Sequence, residues 1–324
     1  MLSKKLISFL KKNKKNILKS KIICIGDVIL DHYIDGKVER VSPEAPVPIL
    51  MMKNQKYVIG GAGNVAKNIS DMGACTSFIH LSGNDSASMM IKKLLKENKN
   101  IKDISINVPN FKTPTKTRFI KNNIHLLRVD NEDVNFKLIN KYKAIIIKKL
   151  KNKIKQCDLV VLSDYNKGLL DEDLIKKIIK LCIQYNKIII ADPKKIDLNC
   201  YNGINILTPN QKEITDTAKK NFLNDENLFK FAKKIVLKNN IKNLLITRSE
   251  KGMLLVNGNI IKKYRANAKK IVDVTGAGDT VIATLATMLT LGMSIDDSIK
   301  VSNYAAGLSI SKKGTASINY ADFI

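Results

Sequence analysis

Along the chain, apolar residues gather into short unbroken runs, and between these runs they recur at helical spacing. Residues 21–29 (KIICIGDVI) form such a run and end near Gly26-Asp27, the pattern of a strand buried on both faces. Similar runs stand at 75–81, 158–162 (DLVVL), 187–191 (KIIIA), 204–207 and 243–247 (NLLIT). Helical spacing predicts helices over 84–98, 137–156, 171–185, the segment after Pro209, and 225–240. A Gly-punctuated hairpin at 252–264 precedes two more helices, about 277–291 and 295–311. Residues 60–73 open on Gly60, Gly61 and Gly63 and continue as a helix with Val65, Ala66, Ile69 and Met72 on one side. Strands that alternate with helices of this length predict an α/β fold whose mostly parallel sheet is covered on both faces.

Two segments break the rhythm. Residues 31–50 carry Pro43, Pro46 and Pro48 amid β-formers, which predicts irregular or edge strands. Residues 104–130 alternate as TKTRFI and IHLLRVD. Together they predict a small β lid on a single domain spanning 1–324. Residues 1–20 hold seven Lys and no acid, with Leu2, Leu6, Phe9 and Leu10 placed to share one helix face. That segment reads as a helix capping the first strand or as a helix lying on a membrane surface. Lysines interrupt any secretory apolar region. No repeat is visible, and no run approaches the ~18 apolar residues of a membrane span.

Composition adds two constraints. The chain is 44% apolar and 26% charged, ordinary for a globular protein. The five scattered cysteines contain no C-x-x-C pair, which argues against a disulfide scaffold or a Cys-rich zinc site and suits a reducing cytoplasm. The net charge of +27 is the odd feature. It allows a polyanion partner, yet only five of the 56 basic residues are Arg, the usual reader of phosphates and bases. A solvated Lys surface and no specific nucleic-acid site is the expectation. An anionic, phosphorylated small substrate fits the charge equally well.

The sharpest candidate chemistry is Asp273-Val-Thr-Gly-Ala-Gly-Asp279 ahead of an apolar helix. Gly276 and Gly278 let a ligand approach the backbone, and the free amides of Gly276, Ala277 and Gly278 form an anion hole at the helix start. Asp279 in that corner is either a charge partner of the helix dipole or a base that takes a proton from an attacking hydroxyl. Gly60-Gly61-Ala-Gly-Asn64 opens a second helix, as a flexible turn and cap or as a site binding substrate hydroxyls. Asp27, with Asp31 nearby, ends the first strand, where ligands bind in parallel sheets; it is either a polyol acceptor or a turn former. No G-x-G-x-x-G follows a strand, and no G-x-x-x-x-G-K-[ST] occurs, which argues against a dinucleotide site and a P-loop.

These elements, with Thr208-Pro209-Asn210 and Glu213 between them, resemble the ribokinase-like (PfkB) sugar kinases over nearly the whole chain. Gly60, Gly61, Asn64, Ala66, Gly73 and Gly83 fall at the spacing of that family's first signature, and 273–279 match the core of its second. Thr284 departs from the usual Gly or Ala. The segments 26–33 (GDVILDHY), 40–48 (RVSPEAPVP), 163–168 (SDYNKG) and 247–252 (TRSEKG) narrow the resemblance to kinases of D-glycero-β-D-manno-heptose 7-phosphate. His32 stands where such kinases usually have Arg, Gly63 replaces Ala, and Asn166 replaces a small residue. In many Gram-negative bacteria this kinase is half of a bifunctional protein whose adenylyltransferase carries H-x-G-H. His32, His80 and His125 form no such motif, so the kinase half without an adenylyltransferase domain is expected.

The resemblance implies a three-layer α/β/α sandwich, a homodimer, and phosphorylation of the heptose at O1 in ADP-heptose synthesis for lipopolysaccharide core. ATP and Mg²⁺ are the implied cofactors, with a monovalent cation left open. Asp279 is the implied base. Asp27, Asp31, Gly60, Gly61 and Asn64 would hold the sugar, with Arg118, Arg128 and Lys167 clamping its phosphate. Asn210, Gln211, Lys212, Glu213, Thr247, Ser249, Gly252 and Asn303 would surround the nucleotide, with Asn210 and Glu213 organising Mg²⁺ on the phosphates. The rival readings are another sugar kinase of the family or a decayed polyanion-binding protein.

Overall fold

The computed structural model describes residues 2–122, 124–133, 136–267, 271–312, 314 and 317–324. The apolar runs become strands of one sheet: β1 (Lys21–Gly26), with β2 (Val28–Val41) and β3 (Pro48–Gly61) set apart from it, then β4 (Cys75–Ser82) and β5 (Ile101–Asn107). After β6 (Thr115–Lys121) and β7 (Ile124–Asn131) come β8 (Leu159–Ser163), β9 (Ile188–Asp192), β10 (Ile206–Leu207), β11 (Asn243–Thr247), β12 (Met253–Asn257) and β13 (Ile260–Tyr264). Among the described residues the large sheet runs β13-β12-β11-β10-β9-β8-β1-β4-β5. It is parallel from β5 through β11 and ends in an antiparallel hairpin.

The strands read as unbroken apolar runs because both faces are buried. On β1, Ile23 and Ile25 face one core while Ile22 and Cys24 face the other; β8 divides Val160 and Leu162 from Leu159 and Val161 in the same way. The first core is covered by α5 (Lys143–Ile154), α6 (Glu172–Gln184), α7 (Gln211–Ala218) and α8 (Asp225–Lys238). The second is covered by α1 (Lys4–Asn13), α2 (Ala62–Asp71), α3 (Ser86–Lys96), α9 (Ala277–Thr290) and α10 (Ile295–Ser309). This is the expected three-layer α/β/α sandwich.

The N-terminal helix caps the body. Leu6 and Leu10 are buried in the second core, and the Tyr320 hydroxyl donates to the Leu10 carbonyl at 2.8 Å. With its apolar face docked, α1 has only its lysine-bearing side to offer to solvent. No described helix is long and apolar enough to cross a membrane.

The lid differs from expectation in its bounds. Residues 101–107 belong to the large sheet, where Thr76–Ser82 and Ile101–Asn107 pair in parallel and Ile106 enters the first core. The lid sheet, β3-β2-β6-β7, therefore takes only 115–131 from the second segment. It gains 51–61 instead, because β3 continues to Gly61 against β2. Gly60 and Gly61 thus close a strand before the helix starts at Ala62. Pro48 is the first residue of an edge strand, where its missing N–H breaks no ladder bond. The expected helix 137–156 is divided into α4 (Phe136–Asn140) and α5 by a turn in which the Tyr142 amide donates to the Ile139 carbonyl.

Candidate active site

The carboxyl ends of the parallel strands carry acids, of which Asp192 lines a cavity. Asp27 follows β1, Asp164 and Tyr165 follow β8, and Asp192 ends β9. The start of α9 faces them. Its N-cap, Gly276, has φ 78° and ψ 6°, a left-handed conformation that a side chain would strain. The preceding loop is tied down by Asp273, whose carboxylate accepts from the amides of Thr275 (2.9 Å) and Gly314 (3.0 Å). The Ala277 amide bonds back to Val274; among the described residues those of Gly278 and Asp279 meet no carbonyl. They are the unpaired donors expected of a helix N-terminus.

Asp279 is buried at that corner. Its Oδ2 accepts from the Asn64 amide nitrogen at 2.7 Å, and its Oδ1 accepts from the Tyr165 hydroxyl at 2.6 Å. Burial pushes its carboxyl up to about 6, while the two hydrogen bonds and nearby Lys194 oppose the rise. Asn64 sits in the first turn of α2, which packs on α9. The two glycine-rich elements, 215 residues apart between Asn64 and Asp279, thus meet at one carboxylate.

Asp27 behaves differently from a free polyol acceptor. Its Oδ2 accepts from the amides of Tyr165 and Lys167, both at 3.1 Å, and its Oδ1 from that of Leu169 at 3.0 Å. The carboxylate organises the 165–169 loop, the turn-forming alternative. Its carbonyl accepts from Ala62 at 2.9 Å and so fixes the start of α2. Gly61, at φ 61°, leaves no room there: a Cβ would stand 2.4 Å from the Asp27 carbonyl oxygen.

A cavity of about 530 Å³ runs from Asp279 along α9 and α10. Of the residues expected around a nucleotide, Asn210, Thr247, Ser249, Gly252 and Asn303 line it, together with Gly276, Ala277 and Gly278. Gln211 and Lys212 do not; they border a separate hollow beside Arg248, whose Nε donates to Gln211 Oε1 at 3.0 Å. Glu213 is absent from the lining as well. Asn210 and Glu213 form a reciprocal cap on α7, with Glu213 Oε2 accepting from the Asn210 amide at 2.8 Å and Oε1 from Lys194.

On the lid, Arg118 and Arg128 are cross-strand partners. Arg118 pairs with buried Asp31 at 2.6 Å, Arg128 with Asp130 at 2.9 Å, and Lys167 with Glu132 at 2.5 Å. Each expected phosphate-binding cation therefore already holds a carboxylate. Half-buried Lys116 has no ion pair among the described residues. Burial draws its ammonium down from the usual range; Asp130 and Asp31 oppose this, while Lys167 and Arg128 reinforce it.

Residues 19–321 match the profile of the pfkB family carbohydrate kinases. The chain belongs to this family of ATP-dependent kinases. It is 36% identical over 307 residues to the bifunctional protein HldE of Granulibacter bethesdensis, covering 93% of this chain and 63% of that protein. Against HldE of Sulfurimonas denitrificans the identity is 37% over 315 residues, covering 94% and 64%. The chain thus spans less than two thirds of the length of these relatives. Among solved structures, Arabidopsis thaliana ribokinase complexed with ribose and ATP superposes with TM-score 0.72 at 18% identity, covering 94% of this chain and 97% of that one. Phosphofructokinase-2 of Escherichia coli in complex with substrates and products gives 0.74 at 16%, covering 94% and 96%. These two likenesses carry the fold.

The structure adds four residues to the candidate site that sequence reasoning missed. Tyr165 touches Asp279, Asp192 and Lys194 line the cavity, and Lys116 joins the lid cations. For Asp192 a signal existed: an acid at the carboxyl end of an apolar run, where parallel sheets place ligands. Burial holds its carboxyl well above the usual range, Lys194 opposing.

Proposed function

We propose that the chain transfers the γ-phosphoryl group of ATP to O1 of D-glycero-β-D-manno-heptose 7-phosphate, giving the 1,7-bisphosphate for ADP-heptose and lipopolysaccharide core synthesis. Residues 1–324 act as one kinase unit in this reading. The observation that carries it is the buried Asp279 carboxylate, set at the start of α9 where the cavity ends and near enough to Asp31, the partner of Arg118, to feel its charge. Asp279 accepts the O1 proton as O1 bonds to the γ-phosphorus. The bond from that phosphorus to the β–γ bridging oxygen breaks, and ADP leaves. The amides of Gly278 and Asp279 donate to the transferring group, and Asn64, with the backbone of Gly60 and Gly61, borders the sugar.

The donor chemistry suits a divalent cation that arrives with the nucleotide. Among the described residues no cluster of three His, Cys, Asp or Glu side chains could cage a metal, and Mg²⁺ favours phosphate oxygens and water over an all-protein cage. Asn210, which lines the cavity, would reach its outer shell, while Glu213 would act only through its reciprocal cap with Asn210, and the bound ion would neutralise phosphate charge. The five cysteines are free, which suits a reducing cytoplasm.

An ADP-release assay with heptose 7-phosphate, fructose 6-phosphate and ribose tests the assignment. The heptose phosphate is expected to give the highest kcat/KM by at least tenfold. A preference for either other sugar moves the chain to another branch of the family. The lid also supports a homodimer. Leu127 and Val129 are exposed on β7, alternating with Arg128 and therefore on the opposite face from it. Sedimentation is expected to give a dimer for the native protein and a monomer after Leu127→Asp with Val129→Asp. A native monomer at micromolar concentration would remove the dimer from the proposal.

A further inference from the structure

Asp279 does not stand alone in its corner, and the group that holds its Oδ1 has no part in the reaction as written above. Tyr165 reaches it from the loop after β8, 114 residues away in sequence, with a 2.6 Å hydrogen bond. The same residue's amide donates to Asp27 Oδ2 at 3.1 Å, so its backbone is pinned to the end of β1. The Lys194 ammonium lies 6.0 Å from the centre of its ring, and the side chain lines the cavity beside Asp192. Asp27, Tyr165 and Asp279 therefore form a relay of position: a buried carboxylate fixes a loop, the loop fixes a phenol, and the phenol fixes the carboxylate proposed as base.

We propose that Tyr165 is a positioning residue whose hydroxyl holds Asp279 ionised and oriented until the acceptor hydroxyl arrives. The proposal rests on Asp279 being the base. The phenol is suited to the task because burial, with Asp279 and Asp192 beside it, holds it well above its ordinary range, so it donates and does not ionise. Each carboxylate oxygen has a further lone pair, so Oδ1 or Oδ2 can accept the O1 proton with Tyr165 and Asn64 still in place. A donor to the charged form favours ionisation, and its loss makes the carboxyl harder to ionise. The other groups that face Asp279 are Asn64 from α2, Lys194 and Asp192 from the end of β9, Asp31 from β2 and the Cys24 thiol from β1. Lys194 works in the same direction as Tyr165, while Asp31 works against it.

The test is the pH profile of kcat for Tyr165→Phe, which removes one oxygen and keeps the ring. The acid limb is expected to move up by about one pH unit, the scale of one charge-assisted hydrogen bond. The deficit relative to wild type would then be roughly fivefold at pH 6 and small at pH 8, as a one-unit shift in the base requires. A merely structural role would lower kcat by the same factor at every pH. A second probe replaces Tyr165 by 3-fluorotyrosine, a stronger donor of nearly the same shape, which is expected to move the limb down. Parallel profiles for the Phe variant overturn the proposal, as does an unmoved limb with fluorotyrosine should the Phe variant not fold. Failure of the underlying reading shows itself separately, as retained turnover in Asp279→Asn.

Discussion

Asp279→Asn is expected to lower kcat by ~10²–10⁴-fold, the usual loss on removing a general base, while the protein stays folded. That factor corresponds to about 3–5 kcal/mol of transition-state stabilisation. The fold survives for a local reason. Both partners of the carboxylate donate to it, Asn64 through its amide nitrogen and Tyr165 through its hydroxyl. In the variant the new amide oxygen keeps the Asn64 bond, and the Tyr165 hydroxyl can turn to accept from the new amide nitrogen. A buried charge disappears, which offsets the Tyr165 hydroxyl hydrogen's loss of its acceptor, so the melting temperature is expected to hold. The wild-type profile gives the companion result. Because the carboxyl titrates at about 6 and only its ionised form can accept a proton, activity falls as pH drops through that value. An Asn variant that keeps more than about half of wild-type kcat, far outside the range for a lost base, would remove Asp279 from the role.

The parallel sheet was legible in the sequence because double burial writes itself as unbroken apolar runs, and each run from KIICIG to NLLIT became a strand. The lid was not, and β3 shows why. Most of its fourteen residues are exposed or half-exposed, so no core imposes a period of two on their side chains. Its bounds depend on pairing with β2, which sequence spacing does not display. The site divides along the same line. Gly276, Gly61 and Asp279 could be found because a left-handed backbone or an acid at a helix start leaves a mark on neighbouring residues. Tyr165 acquires its meaning only when the end of β8 is brought against the start of α9. The cations Arg118, Arg128 and Lys167 could be named from the family resemblance, but their carboxylate partners could not. Two of those partners, Asp31 and Glu132, come from other elements, at separations of 87 and 35 residues.

Those partners reshape the expected dependence on substrate phosphate. The unphosphorylated heptose is expected to react with kcat/KM at least ~100-fold below that of heptose 7-phosphate, which corresponds to about 2.8 kcal/mol. Charge-assisted hydrogen bonds are worth ~1.5–3 kcal/mol each, so two or three contacts exceed this figure before exchange is counted. Exchange reduces it, because a phosphate that takes Arg118 or Lys167 displaces Asp31 or Glu132 from a pair already formed. Lys116 carries no such cost. It is half-buried, unpaired among the described residues and pressed by Lys167 and Arg128, so a dianion gives it a first partner and relieves like-charge repulsion. Lys116→Met is therefore expected to slow the phosphorylated substrate about tenfold and spare the unphosphorylated one. Lys167 needs a paired test. Its removal alone strands Glu132, whose Oε2 already lies buried without a hydrogen bond among the described residues, and the resulting loss would mix stability with recognition. Lys167→Met combined with Glu132→Gln removes both charges and is expected to show the same selective loss with an unchanged melting temperature. Equal kcat/KM for the two sugars in the wild type would eliminate the phosphate clamp and the heptose assignment together. Membership of the pfkB family would stand, since it rests on the match across residues 19–321.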